Sequence, residues 1–512
     1  MCGFIFSHTT KKNSKVADFQ NFQHVVDKLS WRGPDNTKCQ KNKDAFLGHC
    51  RLTILDKSDS ANQPMEFENL SILFNGEIYN HLSLRKKYNL DCQTSSDTET
   101  ILKGYIKFGY KFFNNLDGMF SIVIYDNLSN NWYAARDSFG IKPLYIYNKN
   151  NEVVISSEAS SIAKITGSEY DMDSIEEWKS LRRPIPGKSF FRDIQEVLPG
   201  QIISNSGLID SLWDWVETTE EFNLEKLQDL LLVEVNKHEL NDFTNVGLLS
   251  GGIDSSIIAA ISSVNKFYSV GLSENNEFAE AKDTADKLGK KIKIVELDNN
   301  KLVENWRYLT QLKGEPLYLP NESLIFEVCK NMLPNEKVVL TGEGADEIFF
   351  GYDRIFRKFL DKNYNFEISG FLQQYSYSEN LNSERFFDYI YDLKRNKKNI
   401  DFLEDFFLQF HLPGLLRRMD FASMAASKEA RVPFVNKSLI SLMYRKSPSL
   451  KINNKYSKIP LRNILKNLKL TSPLNRSKIG FSATINQNSQ SRFNEYSFFQ
   501  KTILESLNIS EN

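Results

Sequence analysis

At 512 residues the chain outgrows a single hydrophobic core and predicts at least two domains, able to enclose a site between them. With 64 Lys plus Arg against 65 Asp plus Glu and no long block of one sign, it lacks the basic face that a nucleic acid or other polyanion would need. No apolar run could span a bilayer, no signal sequence opens the chain, and the five cysteines include no C-x-x-C pair; a cytoplasmic protein without a disulfide frame or structural zinc site is expected.

Residues 1 to about 205 read as short β-rich runs broken by turn residues, at 3–7, 45–55, 70–79, 119–125, 132–136, 144–147 and 153–156. Several are apolar at nearly every position, as buried sandwich strands should be. Helical patterning falls between them, at 16–29 and 97–108, so the order fits a layered α+β domain built on two sheets. Past Trp213 and Trp215 the pattern changes to a helix at 224–239, a strand at 246–249, a helix from Ser255, a strand at 267–272 and a helix near 279–288. A strand at 291–297, helices between 301 and 332 and a strand at 337–341 follow. This alternation predicts an α/β doubly wound parallel sheet with ligands at the carboxyl ends of its strands. From about 354 onward the chain reads as helical and aromatic. The expected division is 1–210 and 211–512, docked rather than tethered, because no low-complexity linker lies between them.

Cys2 stands directly after the initiator methionine, before Gly3, so that removal of Met1 would leave a thiol nucleophile carrying its own α-amine. That amine, with an ordinary pKa of about 7.7–8.0, can take the thiol proton near neutral pH. In the second half the strand at 246–249 runs into Ser250, Gly251, Gly252, Ile253, Asp254, Ser255 and Ser256, with a helix directly behind. Glycines let backbone amides close on an anion, the helix N-terminus adds positive potential and the hydroxyls donate further bonds, so the loop suits a phosphate. It lacks the G-K-[ST] of a nucleotide-hydrolysing loop and looks like the pyrophosphate loop of enzymes that split ATP into AMP and pyrophosphate. The strand at 337–341 delivers a second loop, G-E-G-A-D-E at 342–347. Asp254, Glu343 and Asp346 are the carboxylates available to Mg²⁺ beside the phosphates.

Further motifs are LSWRGPD at 29–35, LGHCRLTILD at 47–56, FNGEIYN at 74–80, SSDTET at 95–100 and ARDSFGIKPLY at 135–145. With Cys2 they resemble, in order and spacing, the N-terminal-nucleophile glutaminase domain of the asparagine synthetase family, an αββα sandwich. The likeness continues through the 250–256 and 342–347 loops, DFASMAASKEARVPF at 420–434 and KYSKIPLR at 455–462, and so covers nearly the whole chain. The resemblance implies that Cys2 attacks the carboxamide of glutamine, with Asn75 and the Gly76 amide as oxyanion hole. Arg51 then takes the α-carboxylate of glutamine, and Glu77 and Asp97 take its ammonium; guanidinium suits carboxylate and carboxylates suit ammonium. On the other side Leu249, Ser250, Gly251, Gly252, Asp254, Ser255, Ser256, Gly342 and Glu343 would hold ATP, Asp254 and Asp346 its Mg²⁺, and Lys458 would stabilise the adenylated intermediate.

The implied reaction converts ATP, L-aspartate and L-glutamine to AMP, pyrophosphate, L-asparagine and L-glutamate through a β-aspartyl-adenylate and channelled ammonia. The implied partners are these small molecules, with room for a homodimer. The alternative is amination of another carboxylate, such as a sugar acid in surface-polysaccharide biosynthesis. A cyclising relative without need of ammonia fits poorly with intact Cys2, Arg51, Asn75 and Asp97. Three positions depart from the family pattern: Trp31 where His is usual, Phe350 within an expected glycine pair, and Asn436 where Asp is usual. They lie beside the motifs and bear on the acceptor.

Overall fold

The computed structural model describes residues 2–11, 14–361, 364–378, 383–475 and 492–510. The expected two layers of strands are present as two six-stranded antiparallel sheets. The first runs Ile194–Glu196, Tyr145–Lys149, Glu152–Ser156, Cys2–Thr9, Ala45–Arg51, Asn36–Lys41. The second runs Gly207–Ser211, Gln201–Ser204, Asn131–Arg136, Gly118–Asp126, Leu70–Ile78, Met65–Phe67. Period-two alternation sorts the side chains: Phe4, Phe6, Leu47, Leu73, Val123 and Trp132 meet between the sheets. Ile5 turns outward to Phe22 and Val26 of the helix Phe19–Lys28, and Phe74 and Ile122 turn to Ile101 of the helix Asp97–Phe108. The result is the αββα sandwich.

The third sheet is parallel, in the order Lys291–Leu297, Lys266–Leu272, Asn245–Leu248, Val338–Leu340, Glu429–Arg431. Chain order reverses between Asn245–Leu248 and Val338–Leu340, and the loops at 249–252 and 341–344 leave the carboxyl ends of those two strands. A doubly wound sheet binds its ligand at such a switch point. Helices cover both faces, with Leu231, Ile257 and Ala281 on one and Trp306, Leu309 and Ile325 on the other. The strand Glu429–Arg431 lies within the stretch read from sequence as helical; three residues are too few for a period to register.

A buried ionic lock joins the antiparallel and parallel parts. Arg32 bonds Glu158 at 2.6 Å and Asp420 at 2.8 Å; Lys142 reaches Asp420 at 3.3 Å, and Arg417 clasps Glu158. Arg417 and Asp420 lie on the helix Leu412–Met424, whereas the other three belong to the sandwich. Burial works against ionisation of Asp420, but Arg32, Lys142 and Arg417 together hold its carboxyl below the ordinary range. Breaking a buried pair strands a charge and costs about 3–5 kcal/mol. Asp420→Ala is therefore expected to lower stability by about that amount, read as a lower urea midpoint for the native baseline, whereas Asp173→Ala on an exposed helix turn should be near neutral.

Candidate functional sites

Cys2 opens a central strand of the first sheet, with its side chain buried and its main chain held from two sides. Its N–H donates to Asn75 Oδ1 at 3.0 Å, and its carbonyl accepts from Arg32 Nε at 3.0 Å. Burial pushes the Cys2 thiol up, opposed by the Leu52 amide and the Arg51 charge, so a base is needed to expose the thiolate. Asn75 is fully buried, and with Oδ1 on Cys2 its Nδ2 has no protein partner. A neutral donor of that kind beside a nucleophile suits a developing oxyanion. Gly76 follows with φ +155°, and a Cβ there would lie 2.0 Å from the Met119 carbonyl, so only glycine allows this approach.

Glu77 and Asp97 are both buried and near enough for each other's charge to be felt. Asp97 starts the helix Asp97–Phe108 and accepts the Ile78 N–H at 2.9 Å. Burial pushes Asp97 up to about 6, and burial together with Asp97 drives Glu77 well above the carboxylate range. Arg431 from the parallel sheet stands 3.3 Å from Glu77. Arg51 lies opposite Cys2 in the strand register, but both its Nη atoms serve the loop beyond it: Nη1 bonds Ser58 O at 3.0 Å and Asn62 Oδ1 at 2.8 Å, and Nη2 bonds the Leu55 and Asp56 carbonyls. The guanidinium here braces the loop.

At the switch point the Leu249 N–H is pinned to Tyr268 O at 2.9 Å, which seats the phosphate loop on the sheet. Ser250 and Ser255 close the loop on itself, Oγ to Oγ at 3.1 Å, and Ser250 Oγ accepts the Gly252 N–H at 3.2 Å. Gly251 takes φ +79° against Glu280, Ser256 Oγ is buried without a partner, and the helix Ile253–Ile261 presents its N-terminus to the loop. Gly342 packs on Asp254, with a hypothetical Cβ only 2.9 Å from the Asp254 Cβ. Lys458, in a left-handed conformation at φ 53°, sends Nζ to Asp254 Oδ2 and Asp346 Oδ1, each at 2.6 Å. Two carboxylates from different loops thus converge on one point occupied by a cation. Among the described residues no group of three or more His, Cys, Asp or Glu could hold a metal by itself. An ion held by two carboxylates plus substrate phosphates is the ordinary arrangement for Mg²⁺, and this pair fits it. Glu343 does not join them; it bonds Arg418 at 2.5 Å, and Arg418 also reaches Asn321 Oδ1 at 3.2 Å.

The three departures have physical accounts. Trp31 packs edge-on to Phe421 across the interface, ring centroids 5.4 Å apart. Asn436 caps the helix Lys437–Met443 by accepting the Leu439 N–H at 2.9 Å, a task Asn and Asp perform equally well, and its Nδ2 also donates to Pro433 O at 2.8 Å, which an ionised Asp could not do. Phe350 adopts φ 56° and stacks on Phe356 at 4.0 Å. Sequence reasoning missed Arg32, Glu158, Arg417, Arg418 and Asp420. Their partners lie far off in sequence, from 75 residues for Arg418 and Glu343 to 388 for Arg32 and Asp420, and only the Arg of R-G-P-D and the Asp of D-F-A-S-M stood inside quoted motifs.

Two family models match this sequence: a glutamine amidotransferase domain over residues 1–252 and asparagine synthase over residues 226–509. The glutamine-hydrolyzing asparagine synthetases 1 and 3 of Bacillus subtilis strain 168 are each 26% identical, the alignments covering 97% and 94% of this chain and 89% and 87% of those proteins. Amidase chyE of Penicillium rubens is 29% identical over 69% of this chain and 59% of its own length. With the asparagine synthase model matching more than half of it, the chain belongs to the asparagine synthase family and is a glutamine-dependent amidotransferase, a carbon–nitrogen ligase that uses ATP.

Proposed function

We propose that the chain is a glutamine-dependent asparagine synthetase, working as a glutaminase over residues 1–210 and an ATP-dependent synthetase over 211–512. The observation that carries the synthetase half is the convergence of Asp254 and Asp346 on Lys458 at the switch point. In this reading Cys2, deprotonated by its own α-amine once Met1 is removed, attacks the glutamine carboxamide. The oxyanion is received by Asn75 Nδ2 and the Gly76 amide. Glu77 and Asp97 hold the ammonium, and Arg51, released from part of its loop duty, meets the carboxylate. A thioester forms on Cys2, water releases glutamate, and ammonia crosses the buried interface. Sheltering matters because ammonia in neutral water becomes ammonium and loses its nucleophilicity.

In the synthetase the amides of Leu249 to Gly252 and the hydroxyls of Ser250, Ser255 and Ser256 cradle the pyrophosphate, with Gly342 keeping the facing loop close. The hollow lined by Leu272, Asn275, Leu297 and Asp298 at the ends of the neighbouring strands offers room for the nucleoside end. Mg²⁺, held by Asp254 and Asp346, would neutralise phosphate charge, leaving Lys458 free to face the adenylated acceptor. Glu343, held by Arg418, is assigned to ATP beside them. L-Aspartate is the proposed acceptor, on the strength of relatives named asparagine synthetases along nearly the full chain.

The decisive assay supplies ATP, Mg²⁺, glutamine and ¹⁸O-carboxyl aspartate. Asparagine, pyrophosphate and AMP carrying one labelled oxygen are expected; ADP and phosphate would refute the adenylation step. ATP cleavage indifferent to aspartate would move the acceptor to another carboxylate. Cys2→Ala should abolish glutamine hydrolysis and leave synthesis from ammonium salts intact, since only one site loses its nucleophile; loss of both would defeat the two-site scheme. A pH profile tests the ammonium subsite. Asp97 must be ionised to hold an ammonium, and its carboxyl is pushed up to about 6, so glutaminase kcat/KM should fall as pH drops through that value, by up to about tenfold per unit. In Asp97→Asn activity should be low and the acid limb should move to lower pH, because Glu77 still titrates but loses the neighbouring charge that helps raise it.

A further inference from the structure

The order of the parallel sheet gives the second site a direction. The hollow for the nucleoside end lies where Lys266–Leu272 and Lys291–Leu297 finish, the phosphate loop follows the next strand, Asn245–Leu248, and the acidic loop follows Val338–Leu340 beyond it. A group joined to the α-phosphate and pointing away from the nucleoside therefore runs past the acidic loop. A chain of side-chain contacts starts on that loop. Tyr352 OH donates to Glu347 Oε1 and meets His411 Nε2 at 2.9 Å, and His411 Nδ1 meets Tyr375 OH at 2.8 Å. The Arg182 guanidinium then lies over the Tyr375 ring at 4.2 Å and the Tyr377 ring at 4.5 Å. His411 closes the π-helical turn Phe406–His411, a form frequent at functional sites.

Arg182 comes from the other half of the chain. It ends the helix Met172–Leu181 at φ 71°, a left-handed position that glycine occupies without strain. Its N–H donates to Trp178 O at 2.8 Å, and the neighbouring Ser180 O accepts the Tyr377 N–H at 2.9 Å, so the arginine and one of its ring platforms are fixed to the same helix end. Burial drives the His411 imidazole well below its ordinary value, and the charges of Arg182 and Arg418 push it the same way, which leaves it neutral. Arg418 is committed to Glu343 at 2.5 Å and Arg183 to Glu196 at 2.9 Å. Arg182 has no ion pair among the described residues: Nη1 reaches the Tyr377 hydroxyl at 3.4 Å, and the buried Nη2 makes no hydrogen bond. A guanidinium stacked by its face keeps its N–H edge for a planar anion. We infer that Arg182 anchors the acceptor by a second anionic group: the acceptor is a small dicarboxylate, one carboxylate is adenylated beside Lys458, and the other takes the Arg182 fork. Residues 1–210 would thus contribute a specificity-determining side chain to the amination site. The inference rests on the ATP and acceptor sites proposed above.

The test uses the full-length protein with saturating ATP, Mg²⁺ and an ammonium salt as nitrogen source, and reads AMP and amide formed from L-aspartate or from β-alanine, which is aspartate without its α-carboxylate. The parent should prefer aspartate in kcat/KM by at least about tenfold, the worth of a charge-assisted hydrogen bond. Arg182→Gln should lose about that factor on aspartate and little on β-alanine, so that the preference collapses toward one while KM for ATP is unmoved. A packing role would lower both acceptors alike and leave the preference in place. Should Arg182→Gln prove unfolded by its thermal melt, Arg182→Lys keeps the charge without the planar fork, and its preference should fall between the parent's and one. A preference that survives the substitution in a folded variant, or a parent that forms both amides equally well, overturns the anchor alone. A parent that forms no asparagine, with ATP cleavage indifferent to aspartate, overturns the acceptor reading and the anchor with it.

Discussion

Ion pairs that have given up water hold this molecule in one arrangement. Moving a charge from water to a protein interior costs several kcal/mol, and only a partner in good geometry offsets that. Arg32, Lys142 and Glu158 are placed by the sandwich, Arg417 and Asp420 by the helix Leu412–Met424, and neither set is satisfied without the other. An apolar interface could slide by a residue at small cost, whereas this one cannot slide without stranding charges. The same lock reaches Cys2, the proposed nucleophile, since Arg32 gives Nη1 and Nη2 to Glu158 and Asp420 and Nε to the Cys2 carbonyl. The start of that strand is thereby tied to a side chain whose other bonds reach across the interface.

The second site depends on the same economy of charge. Asp254 and Asp346 repel, and their approach is tolerable because Lys458 stands between them. A divalent ion with a phosphate can take over that neutralisation, freeing the lysine. The left-handed backbone of Lys458 aims it there from the residue just before the helix Ile459–Asn467. Such a conformation costs on the order of 1 kcal/mol for a residue with a Cβ and persists only where surrounding contacts compel it.

What could be read from the sequence was whatever is written contiguously. The strand before Ser250, the glycines after it and the helix beyond carry their own periodicities, and the 74–80 run sits on one strand and the turn that follows it. The sheet order was legible only as a class, because alternation specifies parallel pairing without saying that Glu429–Arg431 would become its edge. The lock could not be read at all, since nothing local distinguishes Glu158 or Arg417 from an exposed charge. Arg51 and Glu343 carried the right chemistry for their assigned partners, yet in the folded chain each has found a nearer one in loop carbonyls or Arg418. Asn436 looked like a change bearing on the acceptor, and its hydrogen bonds make it a helix cap.

Phe350 remains the departure with consequences. A bulky residue at φ 56° is strained, and its presence where glycine would be free of strain requires compensation. The compensation is visible: the ring is buried, stacks on Phe356 with planes 5° apart and carries Lys451 over its face at 4.3 Å. Lys451 in turn pairs with Glu404, so the turn is tied into the aromatic cluster of the C-terminal helices. The next residue, Gly351, donates to the Asp346 carbonyl at 2.8 Å and lies so close to the Asp346 carboxylate and Lys458 that a Cβ would collide with both. A glycine at 350 would leave this turn free to move, whereas phenylalanine fastens it to a large apolar core. The anchored ring at 350 and the crowded glycine at 351 thus bracket the turn that carries Asp346 toward Lys458.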